Sequence, residues 1–192
     1  MPSLSEADRK SLLELARRAV AEALSLQNPA DNYPRSGVFA EKRGAFVTLH
    51  AKGRLRGCIG VVEALEPLGD IVARCAASAA LHDPRFPAVR GEEMSDLQIE
   101  ISLLSPLEPI LFENIEIGTH GLLIIQGTKR GLLLPQVAVE HKLGREQFLD
   151  ETCRKAGLPA QGWKEPETQI FGFTCEVFSE SGSAGDETTA EA

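Results

Sequence analysis

Two runs of β-like residues flank Ala51-Lys52-Gly53, and this arrangement constrains the fold more than any other stretch. Ala45-Phe46-Val47-Thr48-Leu49-His50 leads into the turn, and Arg54-Leu55-Arg56-Gly57-Cys58-Ile59-Gly60-Val61-Val62 returns from it. The pattern predicts a hairpin, hence antiparallel pairing. Helical spacing appears on both sides of it. Ser3 or Ser5 can cap a first helix carrying Leu12, Leu13, Ala16, Val20, Ala23 and Leu24, stopped at Asn28-Pro29. A second begins near Pro67, with a stripe of Leu68, Ile71, Val72, Cys75, Ala76 and Ala79, and ends at Asp83-Pro84.

Further along, Leu97, Ile99, Ile101 and Leu103 alternate with polar residues as a strand. Residues 121–126 and 131–135 form another hairpin around Gly127-Thr128-Lys129-Arg130. A third helix spans Arg145 to Ala156 and stops at Gly157-Leu158-Pro159. Thr168 to Phe178 reads as one last strand. Interspersed helices and hairpins predict an α+β fold with largely antiparallel or mixed sheets flanked by helices.

The 192 residues suffice for one well-filled core or two small lobes. With 43% hydrophobic and 25% charged residues the composition is that of an ordinary globular protein. The net charge of −8 argues against nucleic-acid binding through a broad basic face. No apolar run approaches the ~20 residues that span a bilayer. Met1-Pro2-Ser3-Leu4-Ser5-Glu6-Ala7-Asp8 lacks the order of a secretory signal, so a cytoplasmic location is expected. Half of the charge falls in residues 179–192, which hold Glu180, Asp186, Glu187 and Glu191 and no basic residue. The rest of this segment is Ser, Gly, Ala and Thr, and it is expected to be a disordered tail.

Cys58, Cys75, Cys153 and Cys175 show neither C-x-x-C nor zinc-ligand spacing, so free thiols are expected. Cys75 and Cys175 read as small core residues. Cys58 differs. Strict alternation places Arg54, Arg56 and Cys58 on one strand face, and Leu55 and Ile59 on the other. A cation two residues away lies about 7 Å from the sulfur. At an effective dielectric near 20 it attracts a thiolate by about 2 kcal/mol before screening, enough to lower a thiol pKa by roughly one unit. Gly57 and Gly60 clear space for a backbone or ligand. The alternative is a packed Cys58 with the glycines making a bulge or close contact.

Arg85, in a loop bounded by Pro84 and Pro87, suits an anion or carboxylate partner, or else a salt bridge with Asp83. His120 before Gly121 is a candidate for proton transfer, or a neutral histidine bonded to its own loop. Gln136, after Pro135 at a strand end, can read a ligand or tie down the loop. His82 and Glu100 suit a helix end and a solvated strand face. P-loop, dinucleotide, serine-elbow, zinc-protease and CxxxCxxC motifs are absent, so no metal or cofactor is expected.

Leu55-Arg56-Gly57-Cys58-Ile59-Gly60 resembles the signature of the AMMECR domain family. Asp83-Pro84-Arg85-Phe86-Pro87, Ser102-Leu103-Leu104, His120-Gly121-Leu122, Leu134-Pro135-Gln136-Val137-Ala138 and Cys153-Arg154-Lys155-Ala156-Gly157-Leu158 follow in order. Together they cover about residues 8 to 178. The chain departs at residues 139–144, where the family more often has proline at Val139 and a Trp-Asp pair at Leu143 and Gly144. The resemblance implies a domain over residues 1–178 with two α/β lobes and a cleft between them. It implies the AmmeMemoRadiSam type, accompanied by a Memo-like protein related to dioxygenases and by a radical-SAM protein.

Two functions follow as expectations. One is an accessory component binding those partners. The other is a thiol-dependent enzyme using Cys58 as nucleophile in the cleft, with Arg56 lowering its pKa and His120 as acid or base. Arg85 and Gln136 would bind the ligand, whose identity the sequence leaves open.

Overall fold

Ser5 starts the first helix by accepting the Asp8 N–H on its Oγ at 3.1 Å. This helix, α1, runs Glu6–Leu24 and buries Leu12, Leu13, Leu15, Ala16, Ala19 and Val20. The computed structural model describes residues 4–25, 33–63 and 65–180. Ser3, the Asn28-Pro29 stop and residues 181–192 of the expected tail lie outside them. The chain forms two units, Met1–Leu104 with Glu176–Ala192, and Ser105–Cys175.

In the first unit, β1 (Ala45–Ala51) and β2 (Arg54–Val61) make the predicted antiparallel hairpin. Lys52 and Gly53 both take positive φ, 53° and 73°, as a two-residue hairpin turn of primed type requires. Helix α2 (Leu68–Leu81) follows, with Pro67 at its N-cap. Next comes β3 (Leu97–Leu104), antiparallel to β1 on its other side. The last strand, which we number β8 (Cys175–Ser179), completes the sheet in the order β2-β1-β3-β8. Ala45, Val47 and Leu49 of β1 and Ile99, Ile101 and Leu103 of β3 are all 0% exposed. They form one core with the buried stripes of α1 and α2. Phe46, Thr48 and His50 alternate with the buried β1 residues and therefore lie on the opposite face of the sheet.

The second unit holds β4 (Glu108–Pro109), β5 (Gly121–Gln126), β6 (Lys129–Leu133) and β7 (Gln169–Phe173). They pair antiparallel in the order β4-β7-β5-β6. Helix α3 (Pro135–Glu140) and helix α4 (Arg145–Lys155) complete this unit. Its core gathers Ile115, Leu122, Ile124, Ala138, Phe148, Leu149 and Cys153.

Five expectations are corrected. Residues 168–178 are two strands in two different sheets, separated at Thr174, whose N–H donates to Ser105 Oγ and whose carbonyl accepts the Ser105 N–H. The second hairpin turns on Gly127-Thr128 alone, and Lys129 and Arg130 belong to β6. Pro135 opens α3 rather than closing a strand, because its fixed φ and missing N–H suit the first helical position. Cys175 is partly exposed rather than core. The fold also reaches two residues past 178: Ser179 ends β8, and the Glu180 N–H donates to the Ile99 carbonyl at 3.1 Å while its carboxylate pairs with Arg17.

Candidate functional site

The register between β1 and β2 slips opposite Leu49 and His50. Leu49 faces Gly57 and His50 faces Leu55, so Arg56 is the extra residue of a β-bulge. A bulge breaks alternation and re-aims a side chain. Leu55 consequently shares the open face with His50 and Cys58, and the strict alternation expected for Arg56 does not hold. Its guanidinium instead grips Glu93, Nε to Oε2 at 2.9 Å and Nη2 to Oε1 at 3.1 Å. It also donates to the carbonyls of Pro87 at 2.7 Å and Ala88 at 3.2 Å. Arg56 thus ties the loop after α2 to β2 as a positioning residue.

The Arg56 guanidinium, with the Arg90 N–H, holds the Glu93 carboxyl down at about 2, against about 4.3 for an unfolded glutamate. A folded value below the unfolded one adds stability that is complete above pH ~4.3 and lost as pH falls toward 2. The stability advantage of wild type over Glu93→Gln, read from urea midpoints, is therefore expected to be steady near neutrality and to shrink below about pH 4. An undiminished advantage at about pH 3 contradicts the pairing.

β2 is an edge strand, and an edge leaves backbone groups to be satisfied by something other than a strand. At Cys58 the Asp83-Pro84-Arg85 loop does this. The Cys58 N–H donates to Asp83 Oδ2 at 2.8 Å, and the Cys58 carbonyl accepts from Arg85 Nη2 at 3.2 Å. Asp83, 4% exposed, also accepts the Arg85 N–H at 3.1 Å, Nε at 3.0 Å and Nη2 at 2.7 Å. Arg85's hydrogen bonds outweigh the desolvation of this buried carboxyl and hold it far below the usual carboxylate range. The Arg85 guanidinium stays charged and its side chain is 55% exposed. Among the described residues Nη1 makes no hydrogen bond, so one edge of the fork faces outward.

The Cys58 sulfur accepts a hydrogen bond from Thr48 Oγ1 at 3.3 Å. Thr48 lies between Cys58 and Glu100 in register, so the three side chains form one row across β2, β1 and β3. Both flanking glycines are places of close approach. A Cβ on Gly57 would lie 2.1 Å from the Ala79 carbonyl oxygen of α2, and one on Gly60 would lie 2.3 Å from the Phe46 ring. The Gly57 position is therefore filled by α2 on the core face, and Phe46 fills the Gly60 position on the face that carries the sulfur.

Arg56, Cys58 and Arg85 come together in the first unit. His120 and Gln136 belong to the second. His120 Nδ1 accepts the Glu116 N–H at 3.0 Å, and the His120 backbone N–H donates to the Glu116 carbonyl at 2.9 Å, so residue 120 fastens its own loop. Gln136 lies in the first turn of α3. Leu122 pairs with Leu133, which puts the start of β5, just after His120, beside the end of β6, just before α3. Asp83, Thr48 and Glu93 are the site residues that spacing did not select. Asp83 had a signal in its i,i+2 relation to Arg85; Thr48 and Glu93 had none without the register. Among the described residues no group of three His, Cys, Asp or Glu is placed to hold a metal ion, and no helix is long and apolar enough to cross a membrane.

Comparison with known proteins agrees with this architecture. The AMMECR1 family model matches residues 13–178. A protein of Methanothermobacter thermautotrophicus is 44% identical over 190 residues, covering 93% of this chain and 97% of its own. One from Methanopyrus kandleri is 41% identical over 184 residues, covering 91% and 89%. The crystal structure of an uncharacterized protein from Pyrococcus horikoshii matches with a TM-score of 0.84 at 38% identity, over 95% of this chain and 96% of that one. The α+β fold is shared with that protein, and the chain belongs to the AMMECR1 family.

Proposed function

We propose that this protein is a cytoplasmic accessory component that acts with a Memo-like, dioxygenase-related protein and a radical-SAM protein, and that the Cys58–Asp83–Arg85 corner is part of its recognition surface. The observation that carries this reading is how the charges are spent. Asp83 accepts from four N–H donors, and Arg56 is committed to Glu93. These groups build rigidity, and a carboxylate held so firmly ionised is a poor proton shuttle. The outward edge of Arg85 is suited to a partner carboxylate, which it can meet with planar, charge-assisted hydrogen bonds. Gln136 of the second unit is proposed as a ligand-binding residue. Co-expression with the two partners tests the reading: the tagged protein is expected to retain them through purification. Absence of any complex, with partner activity unchanged on deletion, overturns it.

One observation favours the thiol-dependent alternative, with Cys58 as nucleophile and His120 as acid or base: Cys58 is partly exposed. Cys75 and Cys153 are 0% exposed, and burial pushes both thiols up, Cys75 to about 11. Mass spectrometry after brief iodoacetamide treatment of the folded protein is expected to find label on Cys58 and Cys175, and on Cys75 and Cys153 only after denaturation. An unlabelled Cys58, or full function in Cys58→Ala, removes the enzyme reading.

A further inference from the structure

Helix α3 is only six residues long and ends abruptly. Lys142 takes a left-handed backbone, φ 52°, and the Leu143 N–H returns to the Ala138 carbonyl at 2.8 Å. This turn sends the chain into α4 and leaves a groove of about 520 Å³ within the second unit. Leu133 of β6, Val137 of α3 and Leu143 supply apolar walls. Arg154 and Lys155 supply the cationic ones, with His141 and Glu151 beside them. Glu151 is paired with Arg154. Lys155 and His141 have no side-chain partner among the described residues.

Basic residues in a last helical turn counter the helix dipole, but that role does not call for an apolar hollow beside them. The carbonyls of Thr152, Cys153 and Arg154 are already met by the N–H groups of Ala156, Leu158 and Gly157. Small-molecule sites are typically about 300–1,000 Å³, mostly apolar, with a few polar groups that orient the ligand. In a chain of net charge −8, a hollow with an unpaired lysine at its rim selects against cations and for anions.

We propose that this groove binds a small organic anion: an aryl or alkyl body against Leu133, Val137 and Leu143, with its carboxylate, sulfonate or phosphate at Lys155. The groove is lined by residues of the second unit alone, and the proposal does not rest on the function proposed above. Anilinonaphthalene sulfonate, whose fluorescence rises in apolar surroundings, is the probe, with uncharged phenyl-naphthylamine as its comparison. Lys155→Glu is expected to weaken the sulfonate by roughly fivefold or more, the order of one partly exposed ion pair, and to leave the neutral probe within about twofold. Leu143→Trp, which puts an indole into the groove, is expected to abolish binding of both. Equal response of the two probes to Lys155→Glu overturns the proposal, as does unchanged binding to folded Leu143→Trp. The charge comparison decides alone if the tryptophan variant does not fold.

Discussion

Gly57→Ala is expected to lower the thermal midpoint by about 10 °C or to prevent folding. The added methyl has nowhere to go. Its Cβ would sit 2.1 Å from the Ala79 carbonyl oxygen and 3.0 Å from the Ala79 carbonyl carbon, both backbone atoms of a buried helical turn. A flexible side chain can step aside at small cost, but a helix backbone moves only with its whole packed face. That face includes Ile71, Val72, Cys75, Ala76, Ala79 and Ala80, all at most 2% exposed. Overpacking in such places costs about 1–3 kcal/mol or more. Gly91→Ala is the control. Its Cβ meets nothing within 4 Å, so a change within about 0.5 kcal/mol is expected. A Gly57→Ala midpoint as close to wild type as that of Gly91→Ala contradicts the close approach of α2 to β2.

Asp83→Ala is expected to destabilise by about 2–3 kcal/mol, a midpoint shift of about 5–10 °C, and to free the Arg85 side chain. The loss has two parts. The Cys58 N–H at the sheet edge loses its acceptor, and Arg85 loses three hydrogen bonds and the carboxylate that fixes its plane. Arg85 is exposed enough to regain water, which keeps the cost below that of stranding a fully buried charge. Under the recognition role proposed for Arg85, loss of its fixed position carries the functional consequence, since a mobile guanidinium must be re-ordered on binding. Differential scanning fluorimetry checks the stability. A variant melting within about 1 °C of wild type removes Asp83 from its role in holding the corner.

The hairpin at Lys52-Gly53 was legible because turn chemistry and period-2 alternation are local. The bulge at Arg56 was not. It is a choice of register between two strands, and either register leaves the one-strand pattern unchanged. Arg56 was accordingly expected beside the sulfur, whereas its partner Glu93 lies 37 positions along and carries no spacing signal. Arg85 with Asp83 was readable as a salt bridge because both lie in one short proline-bounded loop. The Cys58 N–H as Asp83's further donor depends on β2 being an edge strand, a fact of sheet order. Thr174 was hidden for the same kind of reason: residues 168–178 read as one continuous β-like run with no turn signal, while the chain changes sheets. Helix α3 is too short for helical periodicity to declare itself. The family motifs named Cys58 and Arg85 together, and the structure supplies the hydrogen bonds between them.

The most direct test of Arg85 as the recognition group in a non-catalytic corner is a binding titration of the purified partner complex against Arg85→Glu and Cys58→Ala, each at fixed salt. Arg85→Glu reverses the exposed charge, and Cys58→Ala removes the thiol while keeping the backbone that Asp83 and Arg85 hold. The expected result is about tenfold or greater loss of affinity for Arg85→Glu, the order of a charge-assisted bidentate contact, with Cys58→Ala within about threefold of wild type. Arg85→Glu binding as wild type does, or Cys58→Ala losing both binding and partner activity, contradicts it.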